Sequence, residues 1–147
     1  MGEVVAQTER LIAASPQRVR DFLADYRINR PRILPPEYFE NYRVEQGGDG
    51  AGTVIRYRLR AGGRERPYRM RVEEPAEGGL LIERDTDSSL VTTWTLTPAE
   101  SGDCTLVGLA SRWEGASGIG GVFERLFAPR ALRRIYDEVL ERLSDAV

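Results

Sequence analysis

The sequence predicts an α+β protein in which a meander of antiparallel strands packs against a long C-terminal helix. Two patterns carry this prediction. Between residues 53 and 113, apolar and polar residues alternate in short runs joined by turns rich in Gly, Asp and Ser, which is typical of antiparallel strands. After residue 119 the apolar residues recur with helical spacing instead. At 147 residues, 41% of them hydrophobic and 30% charged, the chain fits one globular domain, and we expect residues 1–147 to form a single one.

The elements before the meander are a strand and two helical segments. Residues 4–14 have the mixed polarity of a strand. Ser15 can cap a helix whose first position suits Pro16, and apolar residues then follow at helical spacing. The next segment, "RINRPRILPPEYF", contains three prolines, so we expect at most a short, interrupted helix there.

Five runs in the meander read as strands. "TVIRYRLR" is the clearest, because Ile55, Tyr57 and Leu59 share one face while arginines occupy the other. "ERPYRMRVEE" repeats this alternation after the turn "AGGR". The runs "LLIERD", "LVTTWTLTP" and "CTLVGLASRWEG" complete the prediction.

The C-terminal segment contains two apolar stripes separated by Pro129, which should break the helix near Ala128. Before it lies "GASGIGG", where glycines between a strand and a helix could indicate a phosphate-binding loop. Nucleotide-binding loops of this kind lead through their helix to a parallel strand, and the P-loop also needs a lysine; neither is present. We therefore interpret this loop as a hinge that lays the helix across the sheet.

Composition excludes several classes of function. The chain has no histidine, and all 21 basic residues are arginine, which excludes His-activated nucleophiles and lysine Schiff bases. We expect no metal and no cofactor. The net charge of −2 argues against nucleic-acid binding. No apolar run is long enough to span a membrane and no secretory signal is present, so we expect a cytoplasmic protein without integral membrane association.

The order of these elements resembles a known superfamily. "ASPQRVRDFLAD", "GAGTVIRY", "TWTLTP" ahead of "GDCTLV", and "LRRIYDEVLERL" together resemble the START-related, birch-pollen-allergen-like and polyketide cyclase/dehydratase-like proteins (SRPBCC). The resemblance implies a helix-grip fold: a curved seven-stranded antiparallel sheet wrapped around the C-terminal helix, with two short helices after the first strand and an apolar cavity. Members carry lipids, hormones or quinones, and others cyclise polyketides, so the fold alone does not select the function.

If the sheet curls around the helix, the alternation predicts which side chains face the cavity. The predicted ligand-binding residues are Ile55, Tyr57, Leu59, Tyr68, Met70, Trp94, Leu96, Val107, Leu109, Trp113, Phe123 and Phe127. Such a surface suits a flat or oily ligand. The alternative is that these side chains simply fill the core.

The candidates for chemistry are few. Tyr57, Tyr68 and Arg84 are the polar residues we expect to face the cavity, because alternation that places Leu80 and Ile82 inward also brings Arg84 inward. Glu83 is then expected on the outer surface, opposite Arg69 or Arg71. Cys104 has no activating neighbour in the sequence, so we expect an inert thiol.

The outer face of the two arginine-bearing strands carries what we call the arginine stripe: Arg56, Arg58, Arg60, Arg69 and Arg71. We interpret it as a solvated face neutralised by nearby glutamates, and expect a similar outer pair of Arg112 with Glu114. The predicted function is binding or transport of a hydrophobic, aromatic or lipid-like small molecule. The alternatives are a cofactor-independent polyketide cyclase/dehydratase-like enzyme and an interaction module that uses the arginine stripe. The oligomeric state stays open.

Overall fold

The computed structural model describes residues 3–114 and 128–147. These residues contain seven strands and two α-helices. The elements, in chain order, are β1 (Glu3–Ile12), α1 (Pro16–Ala24), a 3-10 helix (Arg30–Ile33), β2 (Phe39–Gln46), β3 (Val54–Ala61), β4 (Arg64–Glu73), β5 (Leu80–Asp85), β6 (Val91–Ala99), a short 3-10 helix (Glu100–Gly102), β7 (Cys104–Glu114) and α2 (Pro129–Ala146).

All seven strands belong to one antiparallel sheet with the order β1-β7-β6-β5-β4-β3-β2. Each strand from β2 to β7 therefore lies beside its neighbour in the chain, which is the predicted meander extended by β2, a strand that the runs in the sequence did not indicate. β1 pairs with β7 along its whole length, from Glu3 opposite Glu114 to Ile12 opposite Thr105. The strand order and the C-terminal helix agree with the helix-grip arrangement.

The first helix begins as the sequence predicts. The Ser15 hydroxyl accepts a hydrogen bond from the backbone N–H of Arg18 at 3.3 Å, and Pro16 occupies the first turn. Val19 and Leu23 are fully buried on its inner face. The proline-rich segment that follows forms only the 3-10 helix of four residues, because prolines remove the N–H groups that a longer helix needs.

The edge of the sheet is bent at β2. The pairing of β2 with β3 shifts register between Glu40 and Arg43 and again between Val44 and Gln46. Asn41, between the first two of these residues, has a φ of 57°, a left-handed conformation that asparagine tolerates better than most residues. Such bulges bend a strand and increase its twist, which helps the sheet to curve.

Helix α2 starts at Pro129, in agreement with the predicted break. Its apolar stripe is buried against the inner face of the sheet. The buried residues of this stripe are Leu132, Ile135, Tyr136, Val139, Leu140 and Leu143. On its other side Asp137 accepts a hydrogen bond from the hydroxyl of Thr8 in β1. The glycine hinge and the predicted cavity residues Phe123 and Phe127 lie outside the described residues. None of the helices in the two described ranges is long and apolar enough to cross a membrane.

Candidate functional site: the interior between the sheet and α2

Two small hollows lie between the inner face of the sheet and α2. The first, which we call the Arg30 hollow, has a volume of about 30 Å³; the second, the Trp113 hollow, has a volume of about 10 Å³. Tyr57 and Tyr136 line both, so these two side chains separate them. As they stand, the hollows can hold one or two water-sized atoms and cannot hold an aromatic ring.

Ten of the twelve predicted ligand-binding residues lie in the described ranges, and the structure places all ten toward the interior. Nine are buried and Tyr57 is half-buried. Seven line the hollows: Ile55, Tyr57, Leu59, Tyr68, Trp94, Leu109 and Trp113. Met70, Leu96 and Val107 belong to the surrounding core, where they line neither hollow. The role of these residues in ligand binding stays a prediction.

The predicted orientation of β5 is wrong. Leu81, Glu83 and Asp85 are the buried residues of this strand, whereas Arg84 is half exposed. The Nε of Arg84 lies 2.9 Å from Oε2 of Glu73 in an outer-surface ion pair, which removes Arg84 from the interior. Three consecutive apolar residues, 80–82, allow either orientation of the alternation. The polar residues decide between them, because Glu83 and Asp85 find partners inside.

Glu83 forms a buried ion pair with Arg30, which the sequence analysis did not identify. Nη1 of Arg30 lies 2.6 Å from Oε2 of Glu83, and the two residues are only 2% and 4% exposed. The hydroxyl of Tyr26 donates to the same carboxylate oxygen at 2.6 Å. Nη2 of Arg30 donates to the carbonyl oxygen of Leu23 at 2.9 Å. The charged groups are thus paired and hydrogen-bonded, as buried charges require.

The turn after α1 positions Arg30. The carboxylate of Asp25 accepts hydrogen bonds from the backbone N–H groups of Arg27 and Ile28, and its carbonyl accepts from the N–H of Arg30 at 2.9 Å. The guanidinium lies over two aromatic rings, 4.3 Å from the ring centre of Tyr26 and 4.8 Å from that of Trp94. These contacts hold a cation in an otherwise apolar interior.

The surroundings of the ion pair shift the pKa of Arg30 and the pKa of Tyr26 in the directions that keep Arg30 charged and Tyr26 neutral. Burial lowers the pKa of Arg30, but the nearby Glu83 and Tyr26 outweigh it, and the net pKa is raised. Burial is the largest cause that raises the pKa of Tyr26 well above its usual value; the charge of Arg30 opposes it and Glu83 adds to it.

Two buried N–H groups at this site have no hydrogen-bond partner among the described residues: Nε of Arg30 and Nε1 of Trp94. Both side chains line the Arg30 hollow. Each is only 2% exposed, so neither donor is hydrated from the surface. An unpaired buried donor lowers the stability of the folded state by roughly 1–3 kcal/mol. Two such donors on side chains that line the same hollow would both gain from an acceptor placed there.

A chain of three hydroxyls runs beside the Arg30 hollow, from Thr92 of β6 through Ser111 of β7 to Tyr136 of α2. The side-chain oxygens of Thr92 and Ser111 are 2.5 Å apart, and that of Ser111 is 2.5 Å from the hydroxyl of Tyr136. Burial raises the pKa of Tyr136 to about 12, although the neighbouring hydroxyls of Ser111 and Thr92 act in the opposite direction. Burial also raises the pKa of Tyr57 well above its usual value. Tyr57 and Tyr136 are therefore neutral near pH 7 and can donate hydrogen bonds.

Other predicted polar residues lie away from this interior. Sγ of Cys104 donates to Oε2 of Glu100 at 3.3 Å, and this contact, with a smaller effect of partial burial, raises the pKa of the thiol, as expected for an inert cysteine. The predicted pairing of Arg112 with Glu114 is wrong, because Nη1 of Arg112 lies 3.8 Å from Oε1 of Glu3 on the paired strand. Within residues 3–114 and 128–147, no group of three His, Cys, Asp or Glu residues is placed to hold a metal ion.

The arginine stripe is largely neutralised on the outer face, as predicted. The carboxylate of Glu45 forms ion pairs with Nε of Arg56, at 3.0 Å, and with Nε of Arg69, at 2.7 Å. Its pKa is lowered, chiefly by the hydrogen bond from Arg69. Further along the strands Arg58 pairs with Glu65 and Arg60 with Glu40. Glu83, which we expected on this face, does not contribute to it.

The strand order and the C-terminal helix are those of a helix-grip protein of the SRPBCC (Bet v 1-like) superfamily. The chain belongs to the polyketide cyclase/dehydrase and lipid transport family, whose model matches residues 3–147. No match was found among curated proteins.

Solved structures are similar over almost the whole chain. The KanY protein, solved by NMR, is 42% identical with a TM-score of 0.84, and the match covers 99% of this chain and 97% of KanY. A protein of Thermus thermophilus is 22% identical with a TM-score of 0.75, over 97% and 95% of the two chains. Norcoclaurine synthase of Thalictrum flavum, solved with dopamine and hydroxybenzaldehyde, is 16% identical with a TM-score of 0.68, over 99% and 89%. The last two likenesses concern the fold alone.

Proposed function

We propose that the protein binds a hydrophobic, ring-containing small molecule between the inner face of the sheet and α2. The observation that carries this proposal is the pair of adjoining hollows lined by aromatic and aliphatic side chains and by the hydroxyls of Tyr57 and Tyr136. Apolar walls with a few placed polar groups are typical of small-molecule sites. Membership of the polyketide cyclase/dehydrase and lipid transport family supports a ligand of this hydrophobic class. We place this function in the cytoplasm.

The two hollows must join and widen for a ring to enter. Ligand sites usually enclose roughly 300–1,000 Å³, far more than either hollow holds here. Because Tyr57 and Tyr136 line both hollows, rotation of these two side chains would connect them. Ligand binding in this proposal therefore includes a rearrangement of the two tyrosines, and it should be slower than diffusion.

Fluorescence titration with a hydrophobic fluorophore and with flat aromatic compounds tests the proposal. We expect micromolar binding and quenching of the tryptophan emission, because Trp94 and Trp113 line one hollow each. Tyr57→Ala should change the affinity without unfolding the protein. The control is Leu106→Gln, because Leu106 pairs with Leu11 of β1 and its side chain alternates with the buried Val107. Absence of saturable binding by all these compounds would contradict the proposal.

A second candidate function is that of a cyclase-like enzyme, and the buried cluster of Tyr26, Arg30 and Glu83 favours it. The di-domain ARO/CYC protein BexL has a similar fold, with 18% identity and a TM-score of 0.69 over 97% of this chain and 49% of BexL. In such an enzyme the walls would hold a reactive chain in one folded shape, while a donor such as Tyr57 or Arg30 polarised a carbonyl. No cofactor is needed for that chemistry.

Isotope exchange separates the carrier from the enzyme. A bound aromatic methyl ketone would exchange its α-hydrogens with D₂O faster than in buffer if the site polarises the carbonyl and promotes enolisation. Mass spectrometry measures this rate. We expect an acceleration that Tyr57→Phe reduces if the protein is an enzyme, and an exchange rate equal to that in buffer if the protein only carries its ligand.

A further inference from the structure

The unpaired donors of the Arg30 hollow restrict what the ligand must carry. Nε of Arg30 and Nε1 of Trp94 are both buried, both belong to side chains that line this hollow, and neither has an acceptor among the described residues. Oε2 of the neighbouring Glu83 accepts from Nη1 of Arg30 and from the hydroxyl of Tyr26, so neither of these hydrogen bonds uses the two unpaired donors. A ligand oxygen in the hollow would satisfy donors that otherwise cost free energy.

The charge of the site selects a neutral oxygen. Arg30 carries one positive charge and Glu83 balances it at 2.6 Å, so the buried pair is neutral overall. A carboxylate or phosphate would add an unbalanced negative charge to this buried site and would share the hollow with Glu83. A carbonyl oxygen accepts the same hydrogen bonds without that penalty.

The other polar groups around the hollow are hydroxyls that can donate hydrogen bonds to a ligand oxygen. Thr92, Ser111 and Tyr136 are linked by two hydrogen bonds but carry three hydroxyl protons, so the chain offers a further donor. Tyr57 adds a neutral phenol. The hollow, at about 30 Å³ and lined by Arg30 and Trp94, has room for one oxygen atom, while the rest of a ligand would extend past Tyr57 and Tyr136.

We propose that the Arg30 hollow is a subsite for an uncharged carbonyl oxygen, held by Nε of Arg30 and Nε1 of Trp94, and that the ligand is an aromatic ketone or quinone rather than a hydrocarbon or a carboxylate. This inference rests on the proposed binding function and adds the chemical class of the ligand. Arg30 and Trp94 select the ligand, and Glu83 acts as a positioning residue by holding the guanidinium.

Three compounds of similar shape test it by calorimetry: fluorene, fluorenone and fluorene carboxylate. Fluorenone differs from fluorene only in its carbonyl group. We expect fluorenone to bind about tenfold more tightly than fluorene, as a net hydrogen bond to a charged donor would give, and the carboxylate to bind more weakly than fluorenone. Equal binding of fluorene and fluorenone, or tighter binding of the carboxylate, would overturn the inference and leave the proposed function standing. Failure of all three to bind would overturn both.

Matched tryptophan variants locate the carbonyl. Trp94→Phe keeps an aromatic ring and removes the N–H, so the preference for fluorenone should fall several-fold. Trp113→Phe makes the same change at the other hollow and should keep the ratio of the two affinities, even if both affinities change together. Equal effects of the two substitutions on this ratio would count against the subsite.

An infrared measurement on the wild-type complex makes the test independent of any variant's stability. The carbonyl stretching frequency of isotope-labelled fluorenone should be lower in the complex than in an apolar solvent, because hydrogen bonds weaken the C=O bond. A frequency equal to that in the apolar solvent would overturn the inference.

Discussion

Arg30 occupies a buried position where a cation is tolerated only because a counter-charge, hydrogen bonds and aromatic rings surround most of its guanidinium. Two of its nitrogens donate to Glu83 and to the carbonyl of Leu23, and the rings of Tyr26 and Trp94 cover it within 4.8 Å. An isolated charge in this interior would be strongly unfavourable, so the ion pair is stable only as a unit. The consequence is that removing one partner costs much more than the pair contributes.

Adjacent residues of β5 provide a direct comparison. Glu83→Gln leaves Arg30 buried without its counter-charge, and we expect a loss of about 3–5 kcal/mol in the free energy of unfolding. Arg84→Gln breaks the exposed pair with Glu73, and we expect a loss of under about 1 kcal/mol. Urea denaturation measures both. Similar losses for the two variants would mean that Glu83 is not the buried partner of Arg30.

The buried tyrosines predict a loss of stability at high pH. The pKa of Tyr136 is about 12 in the folded protein, against about 10 in the unfolded chain. The contribution of the neutral Tyr136 phenol to the free energy of unfolding is complete below pH 10. It is lost as the pH rises to 12, because the phenol of the unfolded chain releases its proton at lower pH than that of the folded protein. The loss should be on the order of 3 kcal/mol.

Denaturation at several pH values measures this loss, and the absorbance of the phenolate follows the titration directly. The burial that raises the pKa of Tyr26 and Tyr57 adds to the effect in the same direction. Tyr136→Phe should lose less stability than the wild type between pH 10 and pH 12. If the free energy of unfolding of Tyr136→Phe falls between pH 10 and pH 12 as steeply as that of the wild type, the assignment to Tyr136 is contradicted.

At the scale of elements, β3 and β5 show how far a sequence pattern determines orientation. In β3 the arginines alternate with Ile55, Tyr57 and Leu59, so only one orientation buries the apolar residues, and the prediction of its faces is confirmed. In β5 the apolar run at 80–82 supplies a residue to either face. The orientation then depends on Arg30, which lies 53 positions earlier in the chain, and period-two patterns contain no such information.

The same contrast explains which parts of the candidate site could be predicted. Its apolar walls follow from alternation along single strands and were placed correctly. Its buried charges follow from contacts between distant segments. Arg30 lies in a proline-rich segment without periodicity, so nothing local marks it as an interior residue. The one available signal was that a glutamate beside an apolar run needs a partner if it is buried.

The arginine stripe gives a prediction for the pair of strands β3 and β4. Arg58 and Arg60 are 39% and 51% exposed, and their ion pairs with Glu65 and Glu40 lie in solvent. The double variant Arg58→Gln, Arg60→Gln should therefore change the free energy of unfolding by under about 1 kcal/mol, as urea denaturation would measure. A loss above about 2 kcal/mol would show that the stripe stabilises the sheet. Loss of a macromolecular partner from the folded variant would favour the interaction-module alternative.

At the scale of the whole molecule, α2 packs across the inner face of the sheet and contacts its edge strand β1. Its residues are buried against the inner face while Asp137 contacts β1, the edge strand that closes on β7. Sheet and helix share one core, which includes Leu143 of α2 together with Trp94 and Val107 of the sheet. Such a molecule should unfold as one cooperative unit.

Leu143→Ala tests this cooperativity. Leu143 is fully buried, so its truncation should cost about 2–5 kcal/mol and should lower the urea midpoint equally by tryptophan fluorescence, which reports on the sheet, and by circular dichroism, which reports on all elements. The neighbouring Arg142→Ala, which breaks only an exposed pair with Glu138, is the matched control and should cost under about 1 kcal/mol. Two separate transitions in Leu143→Ala would show that α2 and the sheet unfold independently.

The pairing of β1 with β7 has a consequence for how the protein is made. The hydroxyl of Thr105 donates to the carbonyl of Ala14 across 91 positions of the chain, and the whole β1–β7 ladder spans comparable separations. On a ribosome that adds about 5–20 residues per second, β1 emerges roughly 5–20 s before its partner exists. During that interval a ten-residue strand has both edges open to other chains. Until β7 is made, β1 has no partner strand in its own chain, and we expect a chaperone that covers β1 during this interval to raise the yield of folded protein.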